Sequence, residues 1–240
     1  MHPAEPQLAL AAGLDTRSAA ARFSQAGRAR IANVLAPAAA ERLHACLVRE
    51  TPWRLVYNDG ARNVVLDPQP SDPAAQREIM QAALLRARDR FQYLYDSYPM
   101  VTAYLNRQDP GLFLHHVLEW LNTPPVLQIL RDVTGIDGIQ KADAQATLYR
   151  PGHFLMRHDD TGEGSEHRLV AYVLNMTRNW RADWGGLLHF LDARGEIAET
   201  WPPAFNVLAL FRVPVPHCVS YVAPFATEPR LAITGWFRGA

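Results

Sequence analysis

Lysine is almost missing from this chain: Lys141 stands alone, and the rest of its 24 basic residues are arginine. Acidic residues also number 24, so the formal charge is zero. A balanced chain of that kind lacks the electrostatic footprint of a nucleic-acid binder. Only two cysteines occur, Cys46 and Cys218, far apart in sequence. That excludes a disulfide framework and suits a reducing compartment. No apolar run approaches the roughly 18 residues needed to span a bilayer. The opening MHPAEPQLALAAGLD has an early acid, Glu5, and no basic stretch, so it does not read as a signal peptide. The expectation is a cytoplasmic protein with neither a membrane nor a nucleic acid as partner. Repeats and low-complexity linkers are missing too, so nothing divides the 240 residues.

What remains is ordinary globular composition, 48% apolar and 20% charged. Residues 1–25 read as a poorly ordered end or a short helix, and 26–240 as a single domain. RIANVL suggests a first strand, followed by a helix over Pro37–Glu50 with proline in its first turn. WRLVYN and NVVLDP alternate around Asp59-Gly60 as a hairpin. Ser71 or Asp72 is positioned to cap a helix running to Tyr95, with Met80, Leu84, Ala87, Phe91 and Leu94 as the stripe it packs on a sheet. Further helices are expected over Gly111–Leu121 and from a Thr123 cap through Pro124 to Gly135. His115 and His116 point about 100° apart on the first of these, poor geometry for co-ligands.

Beyond Gly135 the pattern changes to short runs with period two: AQATLYR, HFLMRHDD, RLVAYVLNM, GGLLHFLD, NVLALFRV, HCVSYVAP and RLAITGWF. Seven such runs between turn residues predict an antiparallel barrel or sandwich over 141–240, with residues 26–140 supplying helical support and edge strands.

Within that half, His158 and Asp160 are two residues apart, so on an extended strand they leave the same face. His217 follows 57 residues after Asp160, and Arg230 a further 13 on. Two imidazoles and a carboxylate form the facial triad that holds iron(II) and leaves positions open for a bidentate 2-oxoacid and dioxygen. The far carboxylate of such a cosubstrate needs a buried cation, and the guanidinium of Arg230 fits it bidentately. Strand alternation puts Thr234 and Trp236 on the face of Arg230; Trp236 suits either the rim of an entrance or an aromatic core. The same parity on RLVAYVLNM directs Tyr172 into the barrel with Val170 and Leu174, and Tyr149 is a second phenol beside the metal strand. Asp159 competes with Asp160 but faces the other way, as Cys218 does beside His217. His153, His167 and His189 read as structural or rim residues, and Arg157 as solvated.

YRPGHFLMRHDD, RLVAYVLNMTRNWRADWGGLLHF, FNVLALFRVPVPHCVSYV and PRLAITGWF together resemble the prolyl-hydroxylase branch of the 2-oxoglutarate and iron(II)-dependent oxygenases. They are similar to both the hypoxia-inducible-factor and the ribosomal-protein prolyl hydroxylases. The spacing of Trp180, Gly185, Gly186 and Leu188 and the ending RLAITGWF are the more specific parts. The resemblance implies a mainly β fold, a double-stranded β-helix (jelly-roll) flanked by N-terminal helices. It implies that His158, Asp160 and His217 bind iron and that Arg230 holds the 2-oxoglutarate C5 carboxylate, with Tyr149, Tyr172 and Thr234 helping. Collagen-type enzymes place a lysine where Arg230 stands, so the arginine favours the intracellular branch. Asp160 likewise argues against the related halogenases, which lack a ligand there. The implied reaction is hydroxylation of a prolyl residue in a protein or peptide, consuming O2 and releasing succinate and carbon dioxide, with ascorbate as an accessory reductant. The same chemistry on a free amino acid or small metabolite is the alternative. A non-catalytic metal-binding jelly-roll is the alternative from another class.

Overall fold

The computed structural model describes residues 8–67, 72–161 and 167–240. Asp15 accepts the Ser18 backbone N–H at 3.0 Å and opens α1 (Thr16–Ala26), which Gly27 closes at a φ of 67°. Strand β1 (Arg28–Ala32) precedes α2 (Pro37–Arg49), which has proline in its first turn. The expected hairpin is β2 (Arg54–Asn58) and β3 (Asn63–Leu66), its loop held by Asp59 accepting the N–H groups of Ala61 and Arg62. Asp72 caps α3 (Pro73–Arg86) through the Ala74 N–H; Ser71, the other expected cap, lies outside the described residues.

Here the sequence reading needs correction. The helix expected to reach Tyr95 stops at Arg86, and FQYLYDSY supplies β4 (Tyr93–Tyr98) instead. Both periods fit this stretch, and cross-strand pairing with β2 decides for the strand. Leu94 is therefore buried as a strand residue, whereas Phe91 is exposed. The helical part of the stripe does meet the sheet: Ile79, Met80, Leu84 and Ala87 pack against Leu55, Leu94 and Phe154.

Three helices follow: α4 (Met100–Leu105), α5 (Phe113–Leu121) and α6 (Pro124–Thr134), the last ended by Gly135 at a φ of 65°. Thr123 occupies the cap position of α6 but its hydroxyl donates to the Trp120 carbonyl oxygen rather than accepting from the helix. The strands β5 (Lys141–Ala142), β6 (Gln145–Tyr149), β7 (Phe154–His158), β8 (Arg168–Met176), β9 (Leu188–Leu191), β10 (Ile197–Trp201), β11 (Phe205–Arg212), β12 (His217–Val219) and β13 (Arg230–Arg238) complete the chain. All seven anticipated runs are strands; α4, β4, β5 and β10 were not foreseen.

The strands form one antiparallel sheet in the order β1-β11-β8-β13-β6-β4-β7-β12-β9-β10. It curls into the jelly-roll expected from the sequence, and an Arg28–Glu199 ion pair joins its two end strands. Alternation sorts the side chains into two cores. Val170, Tyr172 and Leu174 of β8, Leu208 and Leu210 of β11, and Leu231, Ile233 and Phe237 of β13 face the helices, meeting Phe23, Leu43, Leu47 and Val117. Ala171, Val173, Ala209, Phe211 and Ala232 face inward with Tyr149, Leu188, Phe190 and Val219. Fully burying one such large apolar side chain is worth about 1.5–3 kcal/mol, so slipping the register of β8 by one residue is strongly disfavoured. No helix among the described residues is long and apolar enough to cross a membrane.

Candidate metal and anion site

The pairing of β7 with β12 sets His158 directly opposite His217, their ring centroids 4.1 Å apart. Each ring is oriented by its own chain: His158 Nδ1 lies 2.9 Å from the Met156 carbonyl oxygen, and His217 Nδ1 lies 2.8 Å from that of Val215. A carbonyl only accepts, so both Nδ1 atoms carry the proton and donate it. In the neutral rings Nε2 then carries a lone pair directed at the space between them.

Asp160 completes the group, though not by the alternation expected. Strand β7 ends at His158, and Asp160 sits beyond it with a φ of 63°. This left-handed conformation is one that aspartate tolerates better than most residues. It returns the carboxylate to the histidines, with Oδ1 3.4 Å from His158 Nε2 and Oδ2 3.7 Å from His217 Nε2. Ligand atoms of the three residues all lie within 4.8 Å of one another. Asp159 is engaged elsewhere, accepting from the Thr161 N–H and hydroxyl. His153, His167 and His189 take no part in the group.

Burial pushes the Asp160 carboxyl up, but the hydrogen bond from His158 and the fields of His217 and His158 outweigh it and hold it below the usual carboxylate range. Burial, reinforced by His158, pushes His217 down to about 4, so it is neutral near pH 7. The lone pair of neutral His217 Nε2, facing the carboxylate of Asp160, sets acceptor against acceptor. A shared cation relieves that repulsion, and two imidazoles with one carboxylate suit iron(II).

The same cavity, about 460 Å³, contains Arg230. Its side chain is buried, and among the described residues its Nε has no hydrogen-bond partner and the only neighbour modulating its charge is Tyr149. The guanidinium lies 5.0 Å from the centre of the Tyr149 ring. A buried guanidinium without an acid is costly unless an anion arrives. Gly186 makes room beside it: at a φ of 63°, an added Cβ would stand 2.9 Å from Trp180 Cζ2 and 3.6 Å from Arg230 Cδ. This accounts physically for part of the Trp180–Gly185–Gly186–Leu188 spacing, and Leu188 itself lines the cavity.

Tyr149, Thr234 and Trp236 line the cavity with Arg230, as alternation along β13 predicts. Tyr172 also borders the cavity, but its phenol is directed elsewhere than the expected parity suggests. It lies with Val170 and Leu174 on the helix-facing side of β8, stacked on Phe237, and its hydroxyl donates to the Asp143 carbonyl oxygen at 2.8 Å. The inward residues of β8 are Ala171 and Val173. Sequence reasoning missed Tyr93 and Tyr95, which line the cavity from β4, Tyr95 stacked on Tyr149 at 5.2 Å. The aromatic period of two in FQYLYDSY was the available signal.

Residues 144–238 match the family model of the 2OG-Fe(II) oxygenase superfamily. The mouse (Mus musculus) prolyl 3-hydroxylase OGFOD1 is 36% identical over 117 residues, a stretch that is 46% of this chain and 21% of the mouse protein. The chain thus spans about a fifth of that relative's length. A Pseudomonas putida prolyl-4-hydroxylase structure covers 100% of this chain and 97% of its own at 20% identity and a TM-score of 0.55. A Trichoplax adhaerens prolyl hydroxylase, solved in complex with a hypoxia inducible factor peptide fragment, covers 93% and 89% at 16% identity and a TM-score of 0.60. Over residues 144–238 the chain therefore carries the 2OG-Fe(II) oxygenase sequence pattern, on a fold shared with the prolyl hydroxylases.

Proposed function

We propose that this protein is a 2-oxoglutarate- and Fe(II)-dependent dioxygenase that hydroxylates prolyl residues in a protein or peptide. His158, Asp160 and His217 hold the iron; Arg230 holds the distal carboxylate of 2-oxoglutarate, with Tyr149 and Thr234 beside it. When bound, iron and cosubstrate together supply the oxidising power, with succinate and carbon dioxide as products.

The chain's own contribution is positional. Donation from both Nδ1 atoms to backbone carbonyls keeps each Nε2 available to a metal. Arg230 offers two parallel N–H groups to a carboxylate, and the apolar wall of Val173, Leu188, Phe211 and Val219 excludes water. The observation that carries the reading is Arg230 itself, a buried cation without an acidic partner in the cavity that also holds the three ligands.

A peptide is favoured over a small metabolite because a second, more open depression of about 270 Å³ lies next to the cavity, beside Val101 and Thr102. The two share Gln145, Thr234, Gly235 and Trp236 as walls. We take residues 26–240 as one catalytic unit, because β1 pairs with β11 and β4 joins β6 to β7. Two unpaired cysteines suit a cytoplasmic location.

The test is a library of proline-containing peptides incubated with the protein, Fe(II), 2-oxoglutarate and ascorbate. Succinate release coupled to a peptide gaining one oxygen atom supports the proposal, and fragmentation of that peptide locates the hydroxylated carbon. Coupling to free amino acids alone would leave the oxygenase and remove the prolyl peptide. No succinate under any condition would favour the non-catalytic jelly-roll.

A further inference from the structure

We propose that Arg168 is the positioning residue for the carboxylate ligand, holding Asp160 in the conformation that turns it toward His158 and His217. The inference rests on the metal-site reading above. The two histidines and the aspartate are held by different means. Each histidine is oriented by a carbonyl two residues earlier on its own chain. Among the described residues Asp160 has no such anchor on its own strand, which has ended, and its backbone is left-handed.

What meets Asp160 is Arg168, the first residue of β8. Its Nη1 donates to the Asp160 carbonyl oxygen at 3.0 Å. The guanidinium carbon lies over the Trp236 ring, 3.8 Å from its centre. Trp236 in turn stands close enough to the Asp160 carboxylate to favour its charged form, although its indole N–H closes no hydrogen bond. Residues from β8 and β13 thus bracket Asp160 from its backbone and from its side chain. A planar guanidinium is suited to this: it stacks and donates in its own plane at once, which an ammonium cannot do.

Placement and charge make opposite predictions here. Removing a positive charge near a cation site by itself tightens metal binding. Removing the group that places one of three ligands loosens it, and residues supporting metal ligands typically account for about 10–100-fold in affinity. The sign of the change therefore separates the two effects.

The experiment measures Mn(II) affinity of the full chain by electron paramagnetic resonance, without cosubstrate, for the unsubstituted protein, Arg168→Met, Asp160→Asn and the double variant. Arg168→Met should bind Mn(II) about 10-fold more weakly. In the Asp160→Asn background the same substitution should have no effect or should tighten binding. Arg168→Lys, which keeps the charge without the planar fork, should also be weaker, and it carries the test if Arg168→Met does not fold. Equal or tighter binding by the single variants overturns the proposal, as does equal weakening in both backgrounds. Failure of the unsubstituted protein to bind Mn(II) would overturn the metal site itself, and this inference with it.

Discussion

Arg230 and Tyr149 face each other across the β6–β13 pair, the guanidinium 5.0 Å from the ring centre, and among the described residues no carboxylate answers the charge. A folded chain that buries a cation in this way is built to receive an anion, and the protein without ligand carries the cost. Arg230→Met should therefore have effects of opposite sign. It should stabilise the ligand-free protein by about 1–3 kcal/mol, since a buried unpaired charge is replaced by an apolar side chain of similar length. It should also weaken 2-oxoglutarate binding by roughly 100-fold, because losing one partner of a buried hydrogen-bonded charge pair costs about 2–5 kcal/mol. Thermal melts and cosubstrate titrations read the two effects separately. A destabilised Arg230→Met protein with undiminished 2-oxoglutarate affinity would assign the guanidinium a purely structural role.

Metal binding should be visible as stability. At a free Fe(II) or Mn(II) concentration about 100 times its dissociation constant, the folded state gains about 2.7 kcal/mol. Chelator should reverse the gain, and His217→Ala should abolish it. A melting temperature indifferent to metal in the unsubstituted protein would contradict the three-ligand site.

Tyr172→Phe tests whether that phenol serves the cavity it borders. The hydroxyl donates to the Asp143 carbonyl oxygen on the helix-facing side of the sheet. Its loss should cost about 1 kcal/mol of stability and leave 2-oxoglutarate affinity unchanged. A tenfold rise in the 2-oxoglutarate concentration needed for half-saturation would return Tyr172 to the anion site.

Cys46 gives a pH dependence of known sign. Burial, aided by the charge of Glu50, raises its thiol from the ordinary 9.0 to about 11. A raised thiol pKa adds stability that is complete below pH 9 and lost as pH climbs from 9 toward 11, where the unfolded chain ionises first. Denaturant melts should thus show a decline across that window that is smaller in Cys46→Ala. At pH 8 the native thiol should resist alkylation until the chain is unfolded, and rapid alkylation of the native protein would contradict its burial.

Much of the site was legible because β13 displays its parity openly. Arg230, Thr234 and Trp236 alternate with Leu231, Ile233 and Phe237, so one polar–aromatic face and one apolar face separate by inspection. The β8 strand gives no such signal. RLVAYVLNM is apolar on both faces because both are buried, one by helices and one by the barrel interior, so nothing in the run says whether Tyr172 or Val173 points inward. For β4 the difficulty was a coincidence of periods: Phe91 and Leu94 continue the helical spacing from Ala87, and only pairing with β2, β6 and β7 makes Leu94 and its neighbours a strand, with Phe91 just before it. Asp160 does stand beside the two histidines, but not for the reason its spacing suggested. Two-residue spacing suggested a shared strand face, whereas a left-handed turn after the strand brings the carboxylate back. Backbone conformation of that kind leaves little trace in composition, since aspartate is common in both settings.

The most direct test of the account is an anaerobic titration of 2-oxoglutarate into the Fe(II)-loaded protein, followed by the visible charge-transfer absorption of a 2-oxoacid chelated to iron(II). The account predicts a saturable band in the unsubstituted protein, none in His158→Ala or His217→Ala, and one that needs far more 2-oxoglutarate in Arg230→Met. A protein that develops no band, or variants at residues 158 and 217 that develop it unchanged, would contradict the claim that these side chains hold the iron at which 2-oxoglutarate binds.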